Sequence, residues 1–176
     1  EITATPQPGR DAIASNALTL ALARAAGAAG MVGGQAIDLA ADKRGEPAAP
    51  TLAHVRRLQS LKTGALIRVA CEMGAILGAA SAVERAALLT YGDQLGFAFQ
   101  IADDLLDVEG SAAVTGKAVG KDAAAGKATL VSLMGIAAAR AKLAEVERAA
   151  IEALATFGPR ADALRAAARF MSRRQS

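Results

Sequence analysis

Phe99-Gln100-Ile101-Ala102-Asp103-Asp104-Leu105-Leu106-Asp107 places three carboxylates and an amide inside a long apolar helical run. At about 100° per residue, Gln100, Asp103, Asp104 and Asp107 fall within one arc of roughly 100°, the width of a buried helical stripe. Phe97, Phe99, Ile101, Leu105, Leu106 and Val108 occupy the other faces, so solvent does not readily explain the acids. Aspartate is a poor helix former and is almost never fully buried without a partner. Packed carboxylates lacking a countercharge raise one another's pKa, so a cation is expected to face this stripe. Hard divalent ions fit, because Mg²⁺ takes one or two carboxylates together with waters and phosphate oxygens. The plainer alternative is a solvated acidic turn, salt-bridged to nearby lysines.

The 176 residues suffice for one domain with a core, or for part of a larger one, and residues 1–176 read as a single all-helical domain. Hydrophobic residues make up 53% and aromatic ones 3%, with no Trp, so the interior is expected to be Ala, Leu, Val and Ile on closely approaching helices. Asp11, Arg24, Asp38 and Arg68 interrupt the most apolar stretches, and no membrane span is expected. The first residue is Glu1, and nothing after it resembles a signal peptide. Cys71 is the one cysteine, which excludes an internal disulfide and suits a reducing, cytoplasmic location. A net charge of +3, with signs interspersed and few aromatics, makes no case for nucleic acid.

Upstream of the stripe, residues 1–10 read as a connecting loop, and a helical pattern runs from Asp11 toward Asp42. Gly27, Gly30, Gly33 and Gly34 lie in its middle. Each costs a helix roughly 1 kcal/mol against alanine, so close approach by another helix or a ligand is expected there. Gln35 and Asp38 share a face just beyond. Thr51 reads as an N-cap, opening a helix with Val55 and Leu58 apolar, Arg56 and Arg57 outward, and His54 at the surface. Lys62-Thr63-Gly64-Ala65-Leu66 then sits between two apolar segments. A lysine there either snorkels outward or points into a cavity holding anions.

Ser81 and Glu84 have capping-box spacing and open the long helix that reaches the stripe. Residues 109–129 read as the longest loop, with Lys117, Lys121 and Lys127 each preceded by glycine. A P-loop is excluded: Gly120 and Gly126 are one residue too far apart, and Ala128 stands where Ser or Thr is needed. A helix is expected over Leu130 to Leu154, then a break at Gly158-Pro159 and a last helix ending in Arg173-Arg174. No strand pattern is found, and the class is all-α.

A carboxylate face, isolated lysines and small-residue helix faces suit a ligand with a diphosphate head and an apolar tail. Five pieces occur in order across residues 30–130: Gly33-Gly34-Gln35-Ala36-Ile37-Asp38, Lys62-Thr63-Gly64-Ala65-Leu66, the stretch from Phe99 to Asp107, Gly116-Lys117, and Gly126-Lys127-Ala128-Thr129. Together they resemble the C-terminal part of a trans-prenyltransferase of the polyprenyl diphosphate synthase family, with bacterial farnesyl and geranylgeranyl diphosphate synthases nearest. The resemblance implies a helical bundle of the isoprenoid synthase type, incomplete in this chain, and a homodimer. It also implies Mg²⁺-dependent, head-to-tail joining of isopentenyl diphosphate to an allylic prenyl diphosphate, giving a short-chain product such as farnesyl diphosphate.

On that resemblance Asp103, Asp104 and Asp107 hold the metal, while Lys62, Lys117 and Lys127 face the diphosphate. Thr63 and Gln100 set oxygens beside the developing carbocation, and Arg173 and Arg174 resemble a basic tail over the second substrate. The alternatives are a regulatory subunit of a heteromeric prenyltransferase and a terpene cyclase of the same fold. The Lys-Thr-Gly-Ala-Leu and Gly-Lys motifs argue against the cyclase. The family's other aspartate-rich motif is not in the chain and is expected before Glu1. Purified with Mg²⁺, the chain alone is therefore expected not to condense the two diphosphates; ordinary turnover in that assay would remove the need for two facing motifs.

Overall fold

The computed structural model describes residues 5, 12–44, 47–115 and 128–173. In order, its helices are α1 (Ala12–Ala26), α2 (Met31–Arg44), α3 (Leu52–Gln59), a π-helical turn (Ser60–Gly64), α4 (Ala65–Leu77) and α5 (Ala82–Thr115). Then follow α6 (Leu130–Met134), α7 (Ile136–Ala153), a 3₁₀ turn (Ala155–Ala161) and α8 (Asp162–Arg173). No strand occurs among the described residues, as the all-α reading expects.

α4, α7, α8 and the π turn all pack on α5, while α1 lies against α4 and α2 against the π turn. Ala98, Ile101, Ala102 and Leu105 of α5 are buried with Val55, Leu130, Val131, Ala139, Leu143 and Val146. Nearer its start, Tyr91 packs with Ala150, Leu154, Ala161 and Ala168. Alanine supplies much of this core, which is why the helices can lie close without bulky aromatics. Tyr91 is the exception, and its hydroxyl donates to the Leu164 carbonyl at 2.8 Å, so its one polar atom is satisfied.

The helix starts follow their local signals. The Thr51 hydroxyl accepts from the His54 N–H at 3.2 Å. The Ser81 N–H donates to Glu84 Oε2 at 2.9 Å and the Glu84 N–H donates to Ser81 Oγ at 3.3 Å, which completes the expected box. His54, expected at the surface, is half-buried, and its Nε2 is out of contact with solvent.

Three expectations need correction. The helix expected from Asp11 to Asp42 breaks at residues 27–30, where a Cβ on Gly30 would meet the Ala25 carbonyl oxygen at 2.0 Å. Next, α5 runs on to Thr115, so residues 109–115 are helical and not the start of a loop. Lastly, the helix expected from Leu130 to Leu154 is cut at Gly135, whose φ of +84° lies where an L side chain is strained. The break at Gly158-Pro159 stands, and Arg165 holds it by donating to the Gly158 and Leu154 carbonyls at 2.7 and 2.8 Å.

The stretch Ala12–Ala41 has the length and hydropathy, 1.3, of a membrane span by composition. The bend at 27–30 divides it, and its second half carries Gly34 and Asp38 into contact with the π turn. Ile13, Leu20, Val32 and Leu39 are exposed on α1 and α2.

Burial pushes the Tyr91 phenol from its ordinary 10 up to about 12, with Cys71 adding to the shift. A folded pKa above the unfolded one means that this contribution to stability is complete below pH 10 and is lost as pH rises toward 12. The chain has one tyrosine, so phenolate absorbance in an alkaline titration reads Tyr91 alone. A midpoint near 12 is expected for the folded chain and near 10 in denaturant; the ordinary value in both would mean the contact with α8 does not form.

Candidate active site

α3 and α4 form one helical run with a π turn wound into it at Ser60–Gly64. Single π turns are rare within α-helices and concentrate at functional sites. Lys62 and Thr63 ride on this one. Two glycines from other helices close on its backbone. A Cβ on Gly34 of α2 would lie 2.3 Å from the Lys62 nitrogen and 2.7 Å from its Cα. A Cβ on Gly96 of α5 would lie 3.0 Å from the Gly64 Cα. The helix propensity that these glycines forfeit is offset by close approach, which only glycine permits at position 34 and which at position 96 would otherwise require the neighbour to give by a few tenths of an ångström.

Asp38, one turn after Gly34 on α2, reaches the same turn. Its carboxylate is buried and ion-paired with Lys62 Nζ. A buried carboxylate without a cation is strongly destabilising, so this pair fixes Asp38 and Lys62 together.

Gln100 lies one turn beyond Gly96. It lines a cleft of about 590 Å³ between α3, the π turn and α5, with Gln59, Ser60, Phe97 and Asp93. Arg56 and Arg57, expected outward, are exposed yet line the same cleft. The Arg56 guanidinium stands 4.6 Å from the centre of the Phe97 ring, a cation–π contact that keeps the charge at the cleft wall. Asp93 pairs with Arg68 at 3.1 Å.

The acids of the stripe divide into two kinds. Asp103 and Asp107 are exposed. Asp104 turns toward neighbouring helices, where Oδ2 accepts from the Leu130 N–H at 2.9 Å and from Gln59 Nε2 at 3.3 Å. Leu130 opens α6, so Asp104 fastens α5 to α3 and to the start of α6. Among the described residues no group of three or more Asp, Glu, His or Cys side chains is placed to hold a metal. The stripe offers two exposed carboxylates at i and i+4 instead. Lys117 and Lys127 lie outside the described residues, as does Arg174, and Arg173 is exposed at the end of α8.

Two contributors escaped the sequence reading. The sequence places Asp38 in a family motif and on a face with Gln35 but assigns it no role; its spacing of four from Gly34 is the signal that both meet one neighbour. Gln59 follows Val55 by four residues and so falls on the buried side of α3, where an amide must find a partner.

Residues 14–158 fit the family described as polyprenyl synthetase, a span that takes in every site residue named above except Arg173 and Arg174. The chain belongs to the polyprenyl synthetase family. Farnesyl diphosphate synthase from Escherichia coli is 46% identical over 123 residues, which is 69% of this chain and 40% of that protein. Geranylgeranyl pyrophosphate synthase 9 of Arabidopsis thaliana is 39% identical over 138 residues, 78% of this chain and 38% of that one. An FPP/GFPP synthase structure from Zymomonas mobilis superposes with a TM-score of 0.79 at 43% identity, covering 92% of this chain and 52% of that chain. This polyprenyl synthetase chain thus spans about half the length of its relatives or less.

Removing the Asp104 carboxylate leaves the Leu130 N–H and the Gln59 amide without their acceptor, at a cost of about 1–3 kcal/mol. Asp104→Ala is expected to lower the unfolding free energy by that order in chemical denaturation. Asp103→Ala, which removes an exposed side chain, is expected to stay within about 0.5 kcal/mol of the parent. Equal losses would contradict the division between the two acids.

Proposed function

We propose that this chain carries a diphosphate-binding part of a prenyltransferase site, where isopentenyl diphosphate is joined head to tail to an allylic diphosphate. One observation supports this most: α5 bears two exposed carboxylates, Asp103 and Asp107, and the π turn that carries Lys62 and Thr63 packs on that same helix. Two carboxylates one turn apart, completed by waters and phosphate oxygens, match the ligand habit of Mg²⁺. Asp104, held by Leu130 and Gln59, steadies the helix behind them.

Asp103 and Asp107 would hold the ion, which when bound would supply positive charge facing the diphosphate. Lys62, Lys117 and Lys127 neutralise further charge on that group, which eases cleavage of the allylic C–O bond. Thr63 and Gln100 direct oxygen dipoles toward the carbocation left behind. The terminal alkene carbon of isopentenyl diphosphate forms the new C–C bond to the allylic carbon, the positive charge passes to the branched carbon beside it, and the CH2 group on the far side of that carbon gives its proton to the released pyrophosphate, leaving a new double bond. A homodimer and a short-chain product such as farnesyl diphosphate belong to the same reading.

Titration calorimetry with inorganic pyrophosphate tests it. Binding is expected only with Mg²⁺ present, and Asp103→Asn or Asp107→Asn is expected to weaken it on the order of tenfold or more. Binding that ignores both Mg²⁺ and these substitutions would overturn the proposal.

A further inference from the structure

The Asp38–Lys62 pair joins unequal partners. The Asp38 side chain is 4% exposed and that of Lys62 is 38% exposed. Asp38 cannot follow solvent or a ligand, because a carboxylate taken out of water needs its cation beside it. Lys62 has an open side from which its ammonium can also donate to a second anion, having three protons to give. The backbone beneath the pair is fixed as well. Gly34, on the same face of α2 four residues earlier, sits so close that a Cβ would lie 2.3 Å from the Lys62 nitrogen. The base of the lysine and its tip are therefore both held by α2.

Resting on the assignment of Lys62 to a diphosphate, we propose that Asp38 is the positioning residue of Lys62: it sets the ammonium in place before the anion arrives, and tempers how tightly that anion is held. Lysine carries large rotamer freedom, and an anion binding to an unheld lysine must order it first. A fixed carboxylate behind the ammonium removes that step. It also leaves a negative charge beside the incoming one, which limits affinity so that the anion can leave. Pre-placement and easy release are opposite demands, and one buried acid meets both. Asp38 acts only through Lys62 and touches no reacting atom.

The test is a cycle of variants of the 176-residue chain: the parent, Asp38→Asn, Lys62→Met and the double variant, each checked for helical circular dichroism. Inorganic pyrophosphate with Mg²⁺ is titrated into each by calorimetry. Asp38→Asn keeps the shape and removes the charge; the lost repulsion outweighs the lost ordering of Lys62, so binding is expected to tighten on the order of tenfold while Lys62 is present. In the Lys62→Met background the same replacement is expected to change affinity by less than about threefold. A merely structural acid would weaken binding, or alter it equally in both backgrounds, and either result overturns the proposal.

Side-chain NMR of Lys62 without ligand gives the second readout, which does not depend on Lys62→Met folding. Its ammonium signal is expected to be distinct and slow to exchange in the parent, and to merge with the free lysines in Asp38→Asn. An unchanged signal overturns the proposal. If the parent fails to bind pyrophosphate while the Lys62 signal still moves, the positioning of Lys62 by Asp38 stands and the diphosphate assignment falls.

Discussion

A Cβ at position 34 would stand 2.3 Å from the Lys62 nitrogen, so α2 can dock on the π turn only with glycine there. At position 96 the clearance to the Gly64 Cα is 3.0 Å, so α5 also meets the turn closely, under a milder constraint. These are backbone-to-backbone contacts, which no side-chain rotation relieves. Their effect is to fix the height of Lys62 and Thr63 relative to α5, and so relative to Gln100 one turn on. Alanine elsewhere in the core serves the same end: helices separated only by methyl groups transmit position closely.

Several acids of α2 and α5 are spent on joining elements, and that sorts structure from chemistry. Asp38 is matched by an ammonium, Asp104 by a backbone N–H and an amide, and Glu109 by Arg140 of α7. Each of these ties two elements together. Asp103 and Asp107 stay exposed on the helix that those contacts hold rigid. A metal–diphosphate complex needs ligands that arrive already placed, because ordering them on binding costs affinity. In the proposed reading Asp38, Asp104 and Glu109 supply the rigidity, and Asp103 and Asp107 supply the oxygens.

Much of this was legible in the sequence. The all-helical class, the caps at Thr51 and Ser81, and the break at Gly158-Pro159 rest on local chemistry, and the structure follows them. The acidic stripe, the Lys-Thr-Gly turn and the order of the motifs carry the family in the sequence itself. What escaped were matters of tertiary partnership. A periodic pattern continues through Gly30 and Gly135, so only backbone sterics reveal that the helix stops there. The far end of α5 reads as polar and glycine-bearing, yet its helix persists to Thr115. Asp103, Asp104 and Asp107 have the same side chain and lie on one face. The start of α6 and Gln59 of α3 together set Asp104 apart from its neighbours. Arg56 and Arg57 read as outward because helical periodicity does not report a cleft formed by the next helix.

The most direct measurement is on Gly34→Ala, comparing chemical denaturation and Mg²⁺-dependent pyrophosphate binding with the parent. If α2 sets the π turn, one added methyl group must push the two backbones apart. Stability should then fall by about 1–3 kcal/mol or more, and pyrophosphate binding should weaken even where the fold survives. A variant with unchanged stability and unchanged binding would show that the methyl group is accommodated and that Lys62 is not positioned by this contact.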